Sequence, residues 1–136
     1  MKKANESDSQ IQIMRLGELR MLGIEPPDAL RDAPDEDILT VPRPSGQKWA
    51  SQILQQWHVP DLKAAAFVST ISSDDLSNII VIHQFVQVLL PNLHPADYIH
   101  TEISAFEERS PWQLVQSGES SRVRKYLAYH AFGGGW

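Results

Sequence analysis

The sequence predicts an all-α fold, a small helical bundle, on three observations. Residues typical of helix starts, such as Pro60, Ser73 and Pro111, divide the chain into segments of helical length. Between these points apolar residues recur at helical spacing, most densely over residues 79–90. Strand-like alternation of useful length is not found. We therefore expect helices and no sheet.

Composition limits the classes of protein to consider. The 136 residues suit one compact domain, or a small domain with an extension. A formal net charge of −5 argues against chain-wide attraction to nucleic acid, and the absence of cysteine excludes disulfides and cysteine nucleophiles. The first residues lack the apolar core of a secretory signal, and the longest apolar run is too short for a membrane span. We expect a cytoplasmic protein without membrane attachment.

Residues 1–45 are predicted to form an N-terminal extension and an acidic, proline-rich linker. Residues 11–22 carry apolar side chains near helical spacing, which suits either a short helix or a segment packed across the surface. Prolines and acidic residues are frequent over residues 24–45 and disfavour regular helix there. We expect this linker to be extended and to lie along the body of the protein.

Residues 46–91 are predicted to form a helical platform. Residues 49–57 suit an amphipathic helix that Pro60 ends, and Pro60 also starts a second helix. A third helix begins at Ser73, runs to residue 90 and is apolar on most sides. Such a helix belongs at the centre of a bundle or at an interface, so a homodimer through the central helices is one expectation.

The last third of the chain carries the most complete local signals. A helix is predicted over residues 96–106. Ser110 and Gln113 can then form a capping box, in which each side chain accepts from the backbone of the other. Gly118 supplies a left-handed break, and a second helix is predicted over residues 119–132.

This last third resembles the toxin-binding domain of the Xre/MbcA/ParS antitoxin family. There an RSP-type helix start is followed by a turn containing Leu, a Gly-containing break and a VRxYL-like helix that ends in glycines. The matching residues are Arg109, Ser110, Pro111, Leu114, Gly118, Val123, Arg124, Tyr126, Leu127 and the end from Gly133 to Trp136. The resemblance implies that residues 92–136 form a helical toxin-binding domain whose partner is a RES-domain toxin that consumes NAD.

The middle of the chain resembles the start of the helix-turn-helix region of the same family. The matching residues are Ile53, Leu54, Trp57, Val59, Ala65, Ala66 and Val68. The chain then passes almost directly from Thr70 to Ser73, without the basic recognition helix that reads bases in the major groove. Between Trp49 and Asp97 the only Lys or Arg is Lys63. We therefore predict a degenerate helix-turn-helix-like platform, which disfavours DNA as a partner.

Candidate catalytic residues do not group in the sequence. No two histidines have the spacing of a helical metal-ligand pair. Asp97 and His100 share a predicted helix face, where a surface pair is a more ordinary interpretation than a catalytic dyad. The glycines 133–135 do not lie between a strand and a helix, so they are not a phosphate loop. We expect no enzymatic activity, no cofactor and no metal.

Basic and aromatic residues of the last third are the expected toxin contacts. These residues are Arg109, Trp112, Arg122, Arg124, Lys125, Tyr126, Tyr129, Gly133, Gly134, Gly135 and Trp136. Arg109 has an alternative role in ordering the end of the preceding helix. Trp112 is either a core side chain or an interface anchor, and the core role is favoured. The basic cluster has two alternatives, a solvated face and a contact with nucleic acid.

The expected function is that of an antitoxin. The resemblance implies that the C-terminal part of the antitoxin lies at the entrance to the toxin's active site, so residues 133–136 are expected to occlude it. Glycines give Trp136 the freedom to reach into such a cleft, and a disordered tail is the alternative. Inhibition would be steric and stoichiometric. Two other functions stay open, a transcriptional repressor that autoregulates a toxin-antitoxin operon and a structural adaptor for an unrelated partner.

Overall fold

The computed structural model of this protein describes residues 10–134. Within that range the chain is mostly helical and has one two-stranded antiparallel sheet. The strands are β1 Gln10–Arg15 and β2 Ile38–Pro42. The helices are α1 Leu16–Met21, α2 Arg43–Gln56, α3 Asp61–Thr70, α4 Ser73–Leu89, α5 Pro95–Ile99, α6 Pro111–Gln116 and α7 Ser120–Tyr129. Short 3-10 turns cover Asp28–Leu30 and Ser104–Phe106, and a wider turn covers His130–Gly134.

The prediction of a helical fold is confirmed, whereas the expectation that no sheet forms is wrong. Strands β1 and β2 pair antiparallel, with Ile11 opposite Val41, and the pairing shifts at a bulge between Gln12 and Met14. Exposed and buried side chains alternate in β1 only up to this bulge. The alternation is too short to identify a strand from the sequence, and the partner strand begins beyond the next helix and loop.

Helix α4 lies at the centre of the core. It begins at Ser73, as predicted, and the residue before it caps the helix, because the Ser72 hydroxyl accepts the N–H of Asp75 at 3.1 Å. Its buried side chains are Leu76, Ser77, Asn78, Ile79, Ile80, Val81, Ile82, His83, Phe85 and Val86. Helices α2 and α7 and strand β1 pack against it. Its apolar residues are thus covered within one chain, which leaves little of this helix for the homodimer contact expected from the sequence.

The N-terminal segment is part of the same core. Ile11, Ile13 and Met14 of β1 are buried with residues of α4 and α7. The acidic segment between α1 and β2 is held by the Arg20 guanidinium, which donates to the carbonyls of Arg31 at 3.0 Å and Ala33 at 2.8 Å. The same guanidinium forms an ion pair with Asp35. The N–H groups of Leu16 and Gly17 also donate to the carbonyls of Asp37 at 2.8 Å and Asp35 at 3.0 Å. The acidic segment therefore lies along the body, tied to α1 by an arginine side chain and by backbone hydrogen bonds.

In the C-terminal segment, two predicted local features are present and one predicted helix is shorter than expected. Ser110 and Gln113 form the predicted capping box, at 3.2 Å and 2.8 Å, and Gly118 has the predicted left-handed backbone with φ +85°. The helix predicted over residues 96–106 stops at Ile99. The reason is that the Ile103 N–H donates to the Arg109 carbonyl at 3.1 Å, whereas a continuing helix would direct it to Ile99.

A buried polar pair joins the end of α2 to α4. The Trp57 Nε1–H donates to Nδ1 of His83 at 3.0 Å, and both side chains are buried. Nδ1 accepts a hydrogen bond only in the neutral imidazole whose proton is on Nε2. Burial also lowers the pKa of His83 from its ordinary value. The folded state therefore requires an uncharged His83.

This requirement predicts a loss of stability in mild acid. The folded-state pKa of His83 is lower than the unfolded value of 6.5, so the unfolded chain binds the extra proton below that pH. The contribution of His83 is complete above pH 6.5 and falls with pH by at most about 1.4 kcal/mol per unit until the folded-state pKa is reached. His83→Asn keeps an acceptor for Trp57 and does not titrate. Urea denaturation from pH 7.5 to 5 should show a shallower decline for this variant than for the wild type.

The matched control is His58→Asn, at an exposed position whose φ of +62° suits asparagine. This variant should retain the wild-type pH dependence. Equal slopes for wild type and His83→Asn would contradict the assignment.

Candidate partner-binding surface

Helix α7 has a buried inner side and an exposed outer side. Val123 and Leu127 are fully buried and face the core, in which α7 packs against α4. On the other side Lys125 is exposed and Tyr129 is 65% exposed, one helical turn further on. A large exposed aromatic ring next to a cation is typical of surfaces that bind a partner.

Two arginines expected at the interface are held in an ion-pair network. Arg109 Nη1 donates to Glu119 Oε2 at 2.9 Å, and Arg122 Nη2 donates to Glu107 Oε2 at 2.6 Å. Hydrogen bonds from Arg122 hold the pKa of Glu107 below its usual range, and those from Arg109 do the same for Glu119. The Arg122 guanidinium also lies 5.5 Å from the centre of the Phe106 ring. The network fastens the start of α7 to the turn before α6, which agrees with the ordering role weighed for Arg109.

Arg124 points into the molecule. Its guanidinium donates to Asn78 Oδ1 at 3.0 Å, to the Ile13 carbonyl at 3.0 Å and to the Ser77 hydroxyl at 3.3 Å. Asn78 in turn donates to the hydroxyl of Ser120 at 2.9 Å. Arg124 is half-buried, and burial lowers the pKa of its guanidinium from the ordinary value. This residue therefore links α7 to α4 and β1, and only part of it faces solvent.

Trp112 belongs to the core. It is 7% exposed, and its ring lies edge-on to Phe67 at 5.5 Å and to Trp57 at 6.4 Å between centroids. The position agrees with the core role that the sequence favoured. Trp112 therefore packs inside the protein, and its ring is not exposed for contact with a partner.

The end of the described chain is anchored to the core. Tyr126 is half-buried, with its ring 5.0 Å from that of Phe106 between centroids, and Phe132 lies edge-on to Phe85 at 5.8 Å. Gly133 is exposed, with a φ of +129° that favours glycine. Gly134 closes the last turn. Gly135 and Trp136, two of the expected contacts, lie outside the described residues.

A groove of about 500 Å³ opens beside Arg124, between β1, α4 and α7. Cations and carboxylates both line it: Arg15, Arg124, Lys125, Glu18 and Asp74. Sequence patterns did not indicate this groove, because its walls come from four separate segments of the chain, with residues 12–18, Ile38, residues 74–78 and residues 121–128. Its only sequence signal is the arginine in the VRxYL-like motif.

Other kinds of site find little support in the part of the chain that is described. Residues 10–134 contain no group of three or more His, Asp or Glu side chains placed to hold a metal ion. None of the helices in this range is long and apolar enough to cross a membrane.

Comparisons with protein-family models, with curated proteins and with solved structures find no match to this chain. The role of the surface is therefore inferred from its own residues, together with the motif resemblance of residues 109–136.

The polar contacts of Asn78 predict a measurable contribution to stability. Asn78→Ala leaves the half-buried Arg124 without one acceptor and the buried Ser120 hydroxyl without a donor. We expect a loss of about 1–3 kcal/mol in the free energy of unfolding, measured by urea denaturation. Asn92→Ala, at an exposed position after α4, is the matched control and should change stability by less than about 0.5 kcal/mol. Equal stability of the two variants would show that the network contributes nothing.

Proposed function

We propose that this chain is an antitoxin of the Xre/MbcA/ParS type, which binds a RES-domain toxin and blocks the access of NAD to its active site. The observation that carries the proposal is the ordered series of motifs from Arg109 to Trp136. Several short motifs occur there in the order of the family's toxin-binding domain. The protein itself catalyses no reaction in this proposal and needs no cofactor.

The outer side of α7 supports the proposal as a docking surface. Lys125 and Tyr129 are exposed there, while the inner side of the same helix is fixed in the core. Exposed tyrosine gives a large contact area at low conformational cost, and it is enriched among residues that dominate binding energy. A helix that is already rigid before binding loses little entropy when the partner docks.

The anchored end of the chain supports the blocking part of the proposal. Phe132 holds the chain against Phe85, and the chain continues from this point with Gly133, Gly134, Gly135 and Trp136. A short segment on an anchored base can be aimed at a cleft, and a tryptophan can fill it. Occupation of the toxin's entrance by this segment would exclude NAD without any chemical step.

The expected contacts divide into two groups on this proposal. Lys125, Tyr129 and residues 133–136 touch the toxin. Arg109, Trp112, Arg122 and Tyr126 hold that surface in position through the contacts described above. Arg124 does so as well, while part of its side chain stays accessible from the groove. Arg109 and Arg122 are half-exposed, but each already has a carboxylate partner that a toxin residue would have to displace.

The repressor alternative receives less support. Helices α2 and α3 follow each other closely, but the exposed side chains of α3 include Leu62, Ala65 and Ala66, and its only cation is Lys63. Only Ile71 and Ser72 separate α3 from the buried helix α4. Affinity for DNA depends on cations that neutralise phosphates, and this region has too few of them.

Removal of residues 133–136 tests the blocking segment. The truncated chain should keep its melting temperature, because Phe132 and the core are retained, but it should no longer prevent NAD consumption. The assay is co-expression with each RES-domain toxin encoded in the same genome, with cellular NAD as the readout. Trp136→Ala is the companion variant that separates the aromatic ring from the length of the segment. Full inhibition by the truncated chain would remove the blocking model.

Tyr129→Ala tests the docking side of α7. The dissociation constant for the toxin should rise about tenfold or more, because a central aromatic anchor contributes about 1–2 kcal/mol or more. Isothermal titration calorimetry with purified toxin measures the change. Leu62→Ala, which removes a side chain 89% exposed on α3, is the matched control and should bind like the wild type. Equal affinities of the two variants would place the interface elsewhere.

A further inference from the structure

The groove is lined by Arg124, whose guanidinium contacts only neutral acceptors within the part of the chain that the structure describes. All three acceptors of the guanidinium are neutral oxygens, those of Ile13, Ser77 and Asn78. Within residues 10–134 Arg124 forms no ion pair, and Glu18 and Asp74 act on it only at longer range. A half-buried charge that is solvated only by neutral groups gains stability when an anion comes into contact with it.

The surroundings of Arg124 favour an anion of low charge. Arg15 and Lys125 are exposed and line the same groove, so three cations face two carboxylates in a chain whose formal net charge is −5. Glu18 and Asp74 would repel a polyanion such as DNA. A single carboxylate close to the cations meets less of that repulsion, because it carries one negative charge, and it can accept two hydrogen bonds from a guanidinium.

The apolar part of the lining favours a peptide over a free small anion. Ile38, at the start of β2, is 43% exposed in the groove wall, and Met14 and Ala128 also contribute to the lining. A phosphate ion would leave this surface uncovered, whereas an apolar side chain next to an acidic one would cover it. The volume of about 500 Å³ is in the usual range for ligand sites.

We infer that the groove between β1, α4 and α7 receives a short segment of the partner protein in which a Glu or Asp is flanked by an apolar residue. The carboxylate docks on Arg124 between Arg15 and Lys125, and the apolar side chain packs on Ile38. The inference rests on the proposed function for the identity of the partner, the toxin. It adds a second anchor in which β1, outside residues 92–136, takes part in binding.

Arg15→Glu is the deciding variant, because Arg15 is exposed on β1 and does not belong to the α7 surface or to the blocking segment. The dissociation constant for the toxin should rise about tenfold or more, and its dependence on salt should become weaker, with the melting temperature unchanged. Lys63→Glu on α3 makes the same change of charge outside the groove and is the matched control. Both are measured by isothermal titration calorimetry at two salt concentrations.

Arg124→Gln tests the centre of the groove. It removes the charge and keeps an amide that can donate to Asn78 or to the Ile13 carbonyl, and it should weaken binding at least as much as Arg15→Glu. If this variant does not fold, Arg15→Glu still decides the question.

The failures of the two proposals are distinguishable. Wild-type protein that neither binds nor inhibits any RES-domain toxin would refute the proposed function, and the groove inference with it. The groove inference alone would be refuted if the wild-type protein binds and inhibits the toxin while Arg15→Glu and Lys63→Glu bind the toxin with equal affinity.

Discussion

Helix α4 is stable only where other elements cover it on nearly every side, and the architecture follows from that constraint. Its buried residues extend from Leu76 to Val86 with few exceptions, so no single neighbour can cover them. Helix α2, helix α7 and strand β1 share the task. Because these elements come from the beginning, the middle and the end of the chain, one hydrophobic core joins residues from Ile11 to Leu127.

The buried polar residues of α4 determine how the covering elements dock. Ser77 donates to the Gln12 carbonyl of β1, Asn78 donates to Ser120 of α7, and His83 accepts from Trp57 after α2. A buried polar group without a partner costs free energy, so each of these contacts disfavours a shifted arrangement of its element. Apolar packing provides most of the stability of the core. These hydrogen bonds favour one arrangement of the covering elements over similar, shifted arrangements.

Helix α7 connects this architecture to the proposed binding function. Its inner side completes the core, its outer side presents Lys125 and Tyr129, and Arg124 lies between the two and lines the groove. The proposed toxin contacts could be expected from the sequence as a set, because all of them lie between Arg109 and Trp136. Their division into exposed and internally bonded residues could not, since that depends on which side of α7 meets α4 and β1.

The sequence by itself determined the helical character of the chain, and it also determined one helix start and one helix break in the C-terminal segment. The Ser110–Gln113 capping box and the left-handed Gly118 involve residues only a few positions apart, so their physics is contained in the local chain. Only the tertiary structure decided the sheet, the ring contacts of Trp112 with Phe67 and Trp57, and the groove. Arg124 and Ile13 are separated by 111 positions, and no pattern in the sequence records that they meet. Contacts of that kind arise when the whole chain buries α4, which is why local reading could not supply them.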